Sequence, residues 1–143
     1  MEIVSTLILG GFGICITLYY SWRSKKLADD QMMKELFTEF NRRYDDLNDD
    51  LQIVHDKYPT SDELEKAENY AYLKNKIIDF FNLCAEEYFW HKKGRIDDDI
   101  WISWNTGMKF WYKVKSIKDL WQEEIKDRGL ISYYITNKKD FFQ

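Results

Sequence analysis

One proline, Pro59, interrupts a chain of 143 residues, and only six glycines accompany it, three of them crowded at Gly10, Gly11 and Gly13. Strand-rich folds need frequent turn residues of this kind, so their scarcity excludes a sandwich or barrel and predicts an all-α protein. Cysteine occurs twice, as Cys15 in an uncharged run and Cys84 in an apolar helix; that pattern excludes a disulfide framework and fits a reducing compartment. With two histidines, His55 and His91, histidine acid–base chemistry has few options. No phosphate-cradling glycine loop, Gly-x-Ser-x-Gly elbow, His-Glu-x-x-His motif or Cys-His signature occurs. No catalytic, cofactor-binding or metal-binding set is therefore predicted, and the chain is expected not to be an enzyme. Charge of one sign is also lacking: 21 basic and 25 acidic residues mix along the chain for a net −4. That balance argues against nucleic acid as a partner.

What the chain does have is a long uncharged run, Ile3 to Trp22, closed by Arg23, Lys25 and Lys26. About 20 residues at 1.5 Å each match a hydrocarbon core of roughly 30 Å, which predicts a single transmembrane helix. The start Met1-Glu2 has no basic n-region and the run ends in Tyr19, Tyr20, Ser21 and Trp22, features that disfavour a cleaved signal peptide. The positive-inside rule then predicts a single-pass protein of the inner (plasma) membrane, N-terminus outside and C-terminal domain cytoplasmic. Arg23, Lys25 and Lys26 act as the topology signal and attract membrane lipid. The expected domains are an anchor with its basic cluster, 1–25, and a cytosolic bundle of about four helices, 26–143. Within the run, Thr6, Gly10, Gly13 and Thr17 form a small-residue stripe suited to close helix packing in a membrane, although Gly11 departs from the pattern.

Beyond the run, Met33, Phe37, Phe40, Tyr44, Leu47, Leu51, Val54 and Tyr58 alternate in steps of four and three. This seam predicts a helix from about Lys26 to Tyr58, ended by Pro59. Packing within its own chain is the favoured reading, because later helices also need an apolar partner. If the seam is partly exposed, Phe37, Phe40, Tyr44 and Leu47 would contact an unknown protein partner or a second copy. Thr60 and Glu63 form a capping box for a second, central helix reaching about Lys93, with Gly94 beyond it. Asp97 caps a third, Trp-rich helix, in which Gly107 suggests close helix contact or a kink. Ser116 with Asp119 would cap a fourth, closed by Gly129, and the aromatic tail from Leu130 is expected to dock.

The stretch from Ile78 to Gly129, IDFFNLCAEEYFWHKKGRIDDDIWISWNTGMKFWYKVKSIKDLWQEEIKDRG, resembles an uncharacterised family of short bacterial membrane-anchored helical proteins. The likeness lies in an F-x-N-L-x-E-like helix, a G-x-I-D-D turn and a Trp-rich helix ending in a charged segment. It implies a fold and a membrane tether, and no activity.

Three clusters invite a chemical reading, and each has a simpler one. Glu87 and His91 share a helix face and could begin a metal site, but no second Glu-x-x-His motif supplies further ligands. The acidic patch Asp45, Asp46, Asn48, Asp49 and Asp50 lacks the glycine and terminal glutamate of a calcium loop. Lys109, Lys113, Lys115 and Lys118 interleave with Trp111 and Tyr112, yet those aromatics mostly turn inward. The function expected is a membrane-anchored interaction module that is able to self-associate. The alternative is a membrane effector, a pore or bilayer-disrupting oligomer of toxin or phage-defence type; a surface hydrolase is a weaker third.

Overall fold

The structure, a computed structural model, describes residues 2–136, 141 and 142, and for residues 2–12 the backbone alone. Among the described residues there are helices and no strands. Five α-helices follow one another: α1 (Glu2–Lys57), α2 (Ser61–Glu65), α3 (Tyr70–Lys92), α4 (Asp98–Tyr112) and α5 (Lys115–Arg128), with a 3-10 turn at Leu130–Tyr133. The chain forms two compact units, Met1–Glu35 and Leu36–Gln143.

The all-α reading holds, but the transmembrane helix is corrected. Among the described residues no helix is long and apolar enough to cross a membrane. The first half of the predicted run lies outside the described side chains, and with it Thr6 and Gly10 of the stripe. Of the other two, Thr17 Oγ1 donates to the Gly13 carbonyl at 2.9 Å, a bond within one helix. Arg23, Lys25 and Lys26 are exposed, with Lys26 Nζ 5.9 Å from the Trp22 ring centroid.

In the second unit the seam of α1 lies against its own chain. Phe40, Leu47, Leu51 and Val54 are buried, and Tyr44 is half-buried. Phe37 remains 43% exposed while stacking on Trp104 at 5.9 Å between ring centroids. Burying a side chain of this size is worth roughly 1.5–3 kcal/mol, so these four buried positions make α1 a principal wall of the core. Helix α3 is central, buried at Leu73, Ile77, Phe80, Phe81, Leu83, Cys84, Ala85 and Glu87. Around its middle an aromatic cluster forms on Trp121 of α5, with Phe81 at 5.0 Å, Tyr133 at 4.7 Å and Phe142 at 5.1 Å. The tail docks as expected, burying Tyr133, Ile135, Phe141 and Phe142.

Local signals account for most helix ends. Asp97 Oδ1 accepts from the Asp99 amide at 2.9 Å, and Glu63 accepts from the Thr60 amide at 3.1 Å. Gly94 and Gly129 adopt φ of +65° and +75°, where a side chain would strain the backbone. Two boundaries differ from the sequence reading. The expected continuous helix from Thr60 to Lys93 breaks at residues 66–69, because Leu64 and Ala67 are buried and α2 packs on α5, with Ser61 Oγ donating to Asp119 at 2.7 Å. Ser116 does not cap α5, which starts one residue earlier; its hydroxyl donates to the Tyr58 carbonyl at 2.8 Å and its amide to that of Pro59 at 2.9 Å.

Gly107 is neither a close helix contact nor a crossing point, since a Cβ built there meets nothing within 4 Å. Gly107→Ala is therefore expected to stabilise the protein by up to about 1 kcal/mol, through helix propensity alone. A raised urea midpoint at unchanged m-value checks it.

Candidate functional site

Glu87 lies on the apolar stripe of α3, seven residues after Phe80 and four after Leu83, so the helix carries its carboxyl inward with them. It is 5% exposed, and among the described residues nothing donates a hydrogen bond to it. Burial pushes its pKa up to about 8, against the pull of the Arg43 guanidinium, and the neighbouring Glu86 adds to the rise. Arg43 is committed elsewhere: its two terminal nitrogens donate to the two Glu86 oxygens at 2.6 and 3.2 Å. Glu87 is therefore a largely protonated acid at neutral pH.

The carboxyl lines a cavity of about 230 Å³ between α1, α3 and α4. Its apolar walls are Phe80, Leu83, Trp104 and Met108, and Gly107 leaves one side of it without a side chain. Two polar groups from α1 join the lining. Asn41 Nδ2 donates to the Phe37 carbonyl at 2.7 Å, which leaves its Oδ1 open as an acceptor. The Tyr44 hydroxyl accepts from Trp111 Nε1 at 2.8 Å, which leaves its proton available. Ser103 stands exposed at the edge. A small apolar cavity with a few converging polar groups and one displaced pKa is the usual form of a small-molecule site. Two larger hollows of about 440 Å³, one around Arg43 and Lys76 and one beside His55 and Phe110, are more open and have no acid as buried as Glu87 in their lining.

The other predicted sites fall apart in space. Glu87 and His91 do not converge: His91 stacks on Trp101 at 4.7 Å and meets Asp98 at 3.0 Å, while Glu87 turns into the core. Among the described residues no group of three His, Cys, Asp or Glu side chains could hold a metal ion. In the acidic patch, Asp46 accepts from Arg42 at 2.9 Å and Asp50 from the Tyr72 hydroxyl at 2.9 Å. Of the α4 aromatics, Trp111 is buried and bonded to Tyr44. Of the seam residues, Tyr44 enters the cavity wall, and Phe40 and Leu47 are core.

Sequence reasoning reached Glu87 only as half of a metal pair. The available signal was a carboxylate at the i+3 and i+4 positions of Cys84 and Leu83, an acid on the inner stripe of a helix. Comparison with family models, curated proteins and solved structures finds no match for this chain.

Proposed function

We propose that the chain is a non-enzymatic interaction module whose recognition element is the cavity between α1, α3 and α4. The observation that carries this reading is Glu87, 5% exposed and without a hydrogen bond among the described residues, with its carboxyl at a cavity wall. Its carboxyl oxygens are not sealed off, since among the described residues no fully enclosed side-chain nitrogen or oxygen lacks a hydrogen bond, so a molecule entering the cavity meets them directly. Binding rather than turnover fits the lining, where one carboxyl and one phenol face apolar walls without an acid–base pair. The residues expected to meet a protein partner give a poorer basis, because Phe40 and Leu47 are consumed by the core.

The test is thermal unfolding of the full chain, followed by tryptophan fluorescence, with benzylamine, benzyl alcohol and benzoate as probes of one shape and three charges. A ligand at a hundredfold excess over its Kd adds about 2.7 kcal/mol, several degrees in Tm. At least one probe is expected to raise Tm, and Gly107→Leu, which fills the open side of the cavity, to abolish the rise. Three flat responses would remove the basis for the reading.

A further inference from the structure

We propose that the Glu87 cavity is a site for a small primary amine, held as its ammonium by the Glu87 carboxylate against Phe80 and Trp104. This rests on the cavity being a binding site at all, and adds the charge and class of the ligand. Among the described residues no lysine or arginine lines the cavity, so an anion finds no counter-charge there. A neutral molecule could accept the Glu87 proton but would leave the aromatic walls without their best partner. An ammonium uses the carboxyl, the Asn41 acceptor and the aromatic walls at once. It presents three N–H donors, matched by the two Glu87 oxygens and the open Asn41 Oδ1, and it is attracted by the faces of aromatic rings. Its apolar body then meets Leu83 and Met108. At about 30 Å³ per water, a cavity of about 230 Å³ holds the equivalent of roughly eight waters, room for one small organic molecule.

The charge balance makes this reading distinct. The titratable groups around Glu87 are Arg43 and Tyr44 from α1 and Cys84 and Glu86 on its own helix; the cavity-lining part of α4, Ser103 to Met108, contributes none. Arg43 is held by Glu86, so it does not follow Glu87 into the cavity. In the empty site Glu87 keeps its proton below about pH 8. Entry of R–NH₃⁺ favours the carboxylate, and the displaced proton passes to solvent, so the amine keeps its charge and the site becomes a neutral pair. Affinity then rises about tenfold per pH unit up to about 8 and levels off above it.

The experiment is isothermal calorimetry of benzylamine into the full chain at pH 6.5 and pH 9, each in two buffers of different ionisation enthalpy. Benzyl alcohol and benzoate serve as matched controls. The expected result is benzylamine binding with close to one proton released at pH 6.5 and nearly none at pH 9. Glu87→Gln should remove both the proton release and at least tenfold of the affinity at pH 9. Gly107→Leu, which leaves every charge in place, should block binding with an unchanged circular dichroism spectrum. Binding of the alcohol or benzoate in preference to the amine would overturn the amine assignment and leave the cavity reading standing. Amine binding without proton release, or undiminished in Glu87→Gln, would overturn it as well. No binding by any of the three would overturn both.

Discussion

Phe40→Asp is expected to unfold the 36–143 unit. Phe40 is 2% exposed and stands edge-to-face with Trp104 at 5.8 Å. Truncation of such a ring to alanine costs about 3–5 kcal/mol through lost transfer and residual cavity. An aspartate adds an unpaired charge, and the effective penalty for a buried ion is several kcal/mol more. Together these match or exceed the 5–15 kcal/mol that holds a typical domain folded. The measurement is far-ultraviolet circular dichroism with urea titration: loss of the cooperative transition is expected. A folded variant that had lost only the ability to associate would instead make this seam an interface. Phe37→Asp, at a ring already 43% exposed, provides the internal contrast and should remain folded.

Glu87→Gln is expected to abolish most of the pH dependence of stability between pH 5 and pH 9. In the folded chain burial raises the Glu87 pKa from 4.5 to about 8. The folded state therefore binds a proton that the unfolded state has released, and stability falls as pH rises through this window. It is fully present below 4.5 and fully lost once pH passes about 8. At 1.36 kcal/mol per pH unit the loss amounts to several kcal/mol. Glutamine has nearly the same shape and no charge to bury, so the variant should match the parent near pH 5 and exceed it by several kcal/mol at pH 9. Urea midpoints across that range check it, and parallel curves for the two proteins would refute the buried-acid assignment. Glu39 and Asp56, held below the usual carboxylate range chiefly by Arg42 and by Gln52, act in the opposite sense and at lower pH. Tyr133, raised by burial and by its hydrogen bond to Glu124, acts only above the window.

Where a structural device is local, the sequence was a good guide. Pro59, Asp97 and Gly129 each end or begin a helix by a property of one or two residues, and they do so where expected. The seam on α1 was equally readable, because helical periodicity reports which face is apolar. Periodicity does not report what covers that face, so Phe40 and Leu47 could be read as core or as interface. The break at residues 66–69 had no local mark; it follows from the burial of Leu64 and Ala67 and from the packing of α2 on α5. Ser116 likewise carries no local mark of its role, since its partner is the Tyr58 carbonyl, 58 residues earlier in the chain. The cavity is assembled from three helices, and a one-dimensional pattern offers only its single anomaly, an acid on an inner stripe. The uncharged N-terminal run was legible as composition, but among the described residues no helix is long and apolar enough to cross a membrane.

The two cysteines differ in a way that reaches beyond packing. Cys15 is exposed, whereas Cys84 is buried one turn before Glu87, and burial pushes its thiol well above the usual value. Only the thiolate attacks an electrophile, so Cys84 is silent while the core is closed and reactive when it opens. An alkylating reagent therefore divides the molecule's time in two. The first equivalent goes to the exposed Cys15, and the second waits on α3 parting from its neighbours. The chain thus carries its own clock for breathing, read by counting adducts, and a molecule that fills the neighbouring cavity would slow it.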